Sequence, residues 1–294
     1  MRPDFLTHRA GAALALVLAA ALASPAAASH DASGTSSRPV DGTFHHPLRI
    51  SNRYFPLQPN IRYRYDGTVV DEDGKHRHRV VFTVTDLVKQ VDGTWTRVGL
   101  DHDIEDGVLG EAELALFAQD DGRNVRSMGE YPEEYEDGTF VGAPSTWLSG
   151  IDEAEGGTLV PGQPKVGERF VEGKALPIDF YDVGRVVARK AHTCVPVGCF
   201  NRVLVIDEWS PLAPEDGHQL KYYAPGVGLV RIGAKGGDSR ERLVLTSVDH
   251  LGGRAAAAAR REAQRLDRRG LRTSDVWSES APAAVEAGRP LCRL

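Results

Sequence analysis

The chain has 294 residues and a formal charge of −6, from 35 basic and 41 acidic side chains. An acidic balance of this kind disfavours a nucleic-acid backbone as main partner, because phosphates call for clustered cations. The organised part, from residue 48 to about residue 250, suits one domain better than two.

In chain order, residues 1–28 read as a secretory signal peptide. Arg2, His8 and Arg9 precede the apolar stretch 10–23, and small residues follow at Ala26, Ala27 and Ala28. The stretch is too short for a membrane span, and no later run approaches the length that one needs. No cysteine lies near the cleavage point to carry a lipid. The mature chain is expected to be soluble and extracytoplasmic. Residues 29–47 are polar and rich in Ser and Gly, which predicts a flexible leader.

Asp-Gly then occurs at 41, 66, 73, 92, 106, 121, 137 and 216. Between alternating segments this pair is a hairpin signal, since both residues tolerate positive φ. The middle of the chain therefore reads as an antiparallel meander. A two-residue turn at Asp73-Gly74 pairs Tyr65 with Phe82 and puts Arg62, Arg64, Arg77 and Arg79 on the opposite face. A three-residue loop at Val91-Asp92-Gly93 pairs Phe82 with His102 and Val84 with Leu100, and sets Arg79 across from Glu105. The turn at Asp121-Gly122 sets Ala118 across from Val125. "RVLVIDEW" reads as a central strand and "RERLVLTSVDH" as a closing one.

Two segments depart from the pattern. Residues 142–178 are Gly/Pro-rich and read as a long insertion, either a lid or a segment packed over the sheet. Residues 254–269 form the one clear helix, stopped by Gly270; with Leu266 as its only large apolar residue it is expected to stand apart from the core. The stretch 252–294 carries nine basic and five acidic residues, and beyond the helix it reads as a mobile tail.

Candidate chemistry is sparse. His76, His78 and His102 share one predicted row, but their spacing along the ladder leaves no joint metal site. Asp101, Asp103 and Glu105 alternate onto one face, where neighbouring arginines account for them as a solvated surface. Asp207 and Glu208 offer an acid–base pair for a hydrolase, the second reading carried here. There is no GxSxG, HExxH or phosphate loop, so no catalytic residue and no cofactor are assigned. "CVPVGC" allows Cys194 and Cys199 to close a small disulfide in an oxidising compartment, although paired strands can hold their Cβ atoms near or apart. Cys292 is then the odd thiol.

"ISNRYFPLQPNIRYRYDG", "ALFAQDDGRNVRSMGE", "FNRVLVIDEWSPLAP" and "KYYAPGVGLVRI" follow one another in that order. Together they resemble a widespread, uncharacterised bacterial family of secreted proteins and lipoproteins with N-x-YFPL-x-P and YYAPGVGLV motifs. The likeness spans about residues 48 to 249. It implies an extracytoplasmic place but no activity. Where that group has aromatics after GNV, this chain has Arg126, Ser127 and Met128. "APGVG" itself reads first as a turn, with Pro225, Gly226 and Gly228 setting its geometry.

The expected fold is all-β, a curved antiparallel meander of half-barrel or incomplete-barrel type, with a C-terminal basic helix. The expected function is a secreted non-catalytic binding module for an apolar or amphipathic small ligand or an envelope partner. Tyr63, Tyr65, Phe82, His102, Trp147, Trp209 and Tyr222 are the candidate contacts, metal is not expected, and helix 254–269 is a candidate contact for anionic polymers.

Overall fold

A computed structural model describes residues 42–286 apart from Asp73. The signal segment, the leader before Gly42, Asp73 in the first hairpin turn and the tail from 287 with Cys292 lie outside the described residues. The strands are β1 (Ile61–Asp71), β2 (Gly74–Val91), β3 (Thr94–Glu105), β4 (Val108–Gln119), β5 (Val125–Glu136), β6 (Thr139–Gly142), β7 (Trp147–Leu148) and β8 (Glu155–Val160). They continue with β9 (Arg169–Ala175), β10 (Phe180–Val195), β11 (Gly198–Trp209), β12 (His218–Ala224), β13 (Gly228–Lys235) and β14 (Arg242–His250). Helices α1 (Gly253–Thr273) and α2 (Asp275–Ser278) and the short β15 (Ala284–Val285) complete the chain.

The sheet closes. β1 pairs with β2 along one edge and with β14 along the other, so the expected incomplete barrel is a complete one of 12 strands. The segment 142–178 is not a lid: it supplies β8 and β9, which stand in the wall between β5 and β10. Its Gly/Pro content serves the short links between those strands.

Three Asp-Gly pairs form two-residue turns with both residues at positive φ: Asp92 and Gly93 at 47° and 72°, Asp106 and Gly107 at 48° and 90°, Asp137 and Gly138 at 49° and 75°. The first hairpin pairs Tyr63 with Phe82 and Tyr65 with Val80, two residues from the expected register, which leaves every side chain on its expected face. The second hairpin differs more. Its turn is the two-residue one, Val91 opposite Thr94, and the ladder then slips between Val84 and Val88. Thr85 bridges the slip, its hydroxyl donating to Val98 O at 2.7 Å while accepting from Leu87 N at 3.1 Å. The outcome turns β3 over relative to the expected register: Asp103 faces Val80, and His102 lies on the outer wall instead of beside Phe82. Arg79 accordingly finds Ile104 across from it and pairs with Asp66, while Ala118 faces Arg126.

Two cores result. Inside the barrel, Phe55, Phe82, Phe117 and Tyr223 meet edge to face at 5.7–6.0 Å, and Gly99 leaves room for the Phe82 ring, which a Cβ would meet at 2.6 Å. Residues 50–57 plug this interior. Asn52 fixes the plug: its Oδ1 accepts from Tyr54 N and Phe55 N at 2.7 and 3.1 Å, and its Nδ2 donates to Arg123 O at 2.8 Å. The "APGVG" segment is the β12–β13 turn and ties to the plug through Gly226 N and Arg53 O. The start of the described chain is also held, with Gln119 N and Asp121 N donating to Pro47 O and Thr43 O.

The second core lies outside, where α1 packs across β2–β5. Ala256, Ala259, Ala263, Leu266 and Gly270 recur at helical spacing and face the sheet, so the helix does not stand apart. It runs through Gly270 to Thr273 because that glycine lies against Trp277, whose Cδ1 would meet a Cβ at 2.6 Å. The segment after α1 is ordered too: α2 seats Trp277 on Tyr131, and β15 pairs with β2.

One buried pair fastens the helix. Lys89 Nζ reaches Asp267 Oδ1 and Ala281 O, both at 2.8 Å, and lies over the Trp277 ring, while Asp267 also accepts from Trp277 Nε1 and Ala283 N. Removing one partner strands the other without water. Asp267→Ala is expected to cost about 3–5 kcal/mol in urea unfolding. The double variant Lys89→Met, Asp267→Leu should recover most of that loss. Additive losses would mean that the pair is not the fastening.

Candidate functional site

The barrel wall points an unusual set of side chains inward. Alternation sends Asp101, Asp103, Glu111, Glu113, Glu130, Glu172, Asp182 and Glu208 to the interior face, where they and Glu241, the residue before β14, lie around His78 and Lys221. Asp101 and Asp103 are therefore buried and not the solvated surface that the sequence suggested. The sequence signal for the rest was a lone charge at an inward position of an apolar strand, as in "RFVEGKA" and "QLKYY".

Two ion-paired nests organise this layer. His78 Nε2 lies 2.7 Å from Asp103 Oδ1 and its Nδ1 lies 2.9 Å from Glu241 Oε1. Burial alone lowers the imidazole pKa, but the two carboxylates outweigh it and raise it to about 10. In the second nest Lys221 pairs with Glu208, close to Glu172 and Asp182. Burial raises Glu172 well above the ordinary range, and the neighbouring Glu208 charge and their shared hydrogen bond raise it further. Burial also pushes Glu130 up to about 8, against the Trp147 Nε1 that donates to it at 2.9 Å, and Asp182 up to about 7. These carboxyls keep protons that water would take from them.

The residues singled out from the sequence do not form one patch. Tyr63, Tyr65, Phe82 and Trp147 are buried inside the barrel: Tyr63 stacks on Phe82 at 6.2 Å, Tyr65 donates to Leu229 O at 3.0 Å, and Trp147 lies 5.1 Å from Phe180. His102 is on the outer wall with Glu262 of α1 at 3.1 Å. Trp209 and Tyr222 also face outward, Trp209 stacked on His218 and Tyr222 under Arg231. Asp207 and Glu208 point to opposite sides of β11. Burial favours the protonated Asp207, but donors from Lys235, His218 and Arg185 hold its pKa below the ordinary value. The pair cannot share one substrate.

Outside, α1 presents a second arrangement. Arg254, Arg261, Arg265, Arg268 and Arg272 are exposed. At 3.6 residues per turn they fall within an arc of about 60° and make a row about 27 Å long. Arg265 has Glu262 at 3.6 Å; the other members of the row have no ion pair with a described residue. The remaining arginines clamp the helix to the wall, Arg260 on Asp86 and Arg269 on Glu133. No described helix is long and apolar enough to cross a membrane.

No family model matches the chain, and no curated protein matches it. Among solved structures it is similar to a candidate exported protein with a YmcC-like fold from Bacteroides fragilis, at 16% identity and a TM-score of 0.36 over 67% of this chain and 99% of that one. It is also similar to a candidate lipoprotein from Parabacteroides distasonis, at 12% identity and a TM-score of 0.33 with the same coverage. Overlap of this extent leaves the chemistry to be read from this chain's own side chains.

The interior layer has a pH signature. Carboxyls with raised pKa stabilise the fold in mild acid, and that contribution is lost as pH rises from the ordinary carboxyl range through about 7 for Asp182 and about 8 for Glu130. The His78 contribution is complete below its unfolded value near 6.5 and is lost as pH rises through about 10. Asp207 runs the other way and is lost in strong acid. The urea midpoint is expected to peak in mild acid and to fall steadily between about pH 5 and pH 8. Glu130→Gln with Asp182→Asn should flatten that slope. Equal wild-type stability at the two pH values would remove the retained-proton account.

Proposed function

We propose that the mature chain is an extracytoplasmic, non-catalytic binding protein that holds a linear anionic envelope polymer along the outer face of α1. The single observation that carries this reading is the row of Arg254, Arg261, Arg265, Arg268 and Arg272, exposed and largely unpaired on a helix whose other side is fastened to the barrel. Guanidinium groups recognise phosphate and carboxylate groups through paired donors, and a fixed row spares most of the ordering cost on the protein side. The row is one residue wide on an acidic body, which suits a linear chain better than a flat anionic surface.

The extracytoplasmic place rests on the pattern of residues 1–28, on the motif likeness to a family of secreted proteins and lipoproteins, and on a Cys194–Cys199 disulfide, which persists in oxidising surroundings. An envelope partner is preferred over a small apolar ligand because Tyr63, Tyr65, Phe82 and Trp147, expected to line a pocket, fill the barrel interior with one another and with the plug, while Trp209 and Tyr222 face outward. A hydrolase reading lacks a pair of carboxyls on one face at Asp207 and Glu208.

The test is binding to a linear polyphosphate and to anionic phospholipid vesicles, across a salt series. Arg261→Glu, Arg265→Glu and Arg268→Glu combined should weaken polyphosphate binding at least about 10-fold and lower its salt slope by roughly two to three. The unfolding free energy in urea should change by no more than about 0.5 kcal/mol per substitution, since these side chains are exposed. Unchanged polymer affinity, or affinity for vesicles alone, would overturn the proposal.

A further inference from the structure

The β10–β11 hairpin carries a side-chain relay that the binding reading leaves unused. Val195 pairs with Gly198 at its tip, Cys194 with Cys199 on the next rung and His192 with Asn201 two rungs further down, on the same face. Cys194 and Cys199 are bonded. His192 Nδ1 lies 2.9 Å from Asn201 Oδ1, and His192 Nε2 lies 3.4 Å from Cys194 Sγ. With the Asn201 oxygen accepting from Nδ1–H, the Nε2 lone pair is aimed at that sulfur. All four side chains belong to exposed residues.

The bond is not needed as a staple. The hairpin is already zipped by its backbone ladder, and a loop this short gives a cross-link little chain entropy to remove. Exposed disulfides are the exchangeable ones, and a neighbouring imidazole raises the thiolate fraction of the thiol it faces.

We infer that Cys194 and Cys199 form an exchange-active couple, with Cys194 as the attacking sulfur and His192 as its proton acceptor. In the reduced hairpin, Nε2 takes the Cys194 thiol proton, and the thiolate attacks one sulfur of an external disulfide. A Cys194 mixed disulfide forms, and the displaced thiolate takes the proton back from His192. The Cys199 thiolate then attacks Cys194 Sγ, which re-forms the internal bond and expels the second external thiolate; the proton that Cys199 gave up to solvent balances it. Two electrons pass from the hairpin to the external disulfide, and an external dithiol returns them by the reverse steps. The partner class is a protein or small-molecule disulfide or dithiol. Asn201 is a positioning residue that holds the ring.

The experiment uses the full chain with Cys292→Ser, reduced with dithiothreitol, freed of reductant and kept anaerobic. Far-UV circular dichroism should not change on reduction. Limiting iodoacetamide at pH 7, followed by peptide mass mapping, should label Cys194 about 10-fold faster than Cys199, the ratio expected when one thiol holds far more thiolate. Dithiobis(nitrobenzoate) should then release two thionitrobenzoate anions per chain and leave the internal disulfide. His192→Ala should abolish the Cys194 advantage without changing the dichroism, and Asn201→Ala should reduce it. Equal labelling of the two cysteines, a rate unmoved by His192→Ala, or loss of the sheet on reduction would overturn the inference.

Discussion

Closure of the sheet is the constraint from which the rest follows. Once β1 is hydrogen-bonded to both β2 and β14, each wall residue is committed to the inside or the outside by parity alone. The slip beside Thr85 therefore decides more than local geometry. It delivers Asp101 and Asp103 to the interior and His102 to the exterior, and so sets both the acid-rich layer and one of the contacts that receive α1. A barrel interior that holds so many carboxyls is compatible with folding because several lie against His78 and Lys221 and burial raises the pKa of most of the others.

The outer core works by a different rule. The helix buries mostly alanine, which brings its axis close to the sheet but supplies little apolar area. Specific polar contacts make up the difference: Lys89 with Asp267, Arg260 with Asp86, Arg269 with Glu133. The basic character of this segment thus divides into two jobs, inward-leaning arginines that attach it and outward ones left available.

Much of this was legible in the residues. Asp-Gly spacing marked the strand turns, and the alternation of Tyr63, Tyr65, Phe82 and Val84 marked the inner face even though the first register was two residues out. Closure was not legible, because the pairing of β1 with β14 joins residues far apart in sequence and leaves no local pattern. The second register failed for a physical reason: the ladder slips beside Thr85, and the inward-turned Asp103 meets His78 inside the barrel, a partner that the local sequence does not reveal. The poverty of large apolar residues in α1 hid its docking, since alanine and glycine contacts with Trp277 give no strong periodic signal. The clamp made by Asn52 was not legible either, because it shows only when Arg123 and Pro161 are brought beside it.

The way α1 is fastened has a kinetic side. Because lifting the helix parts Lys89 from Asp267 and opens the outer core, the backbone that carries the outward arginines is freed only together with that core.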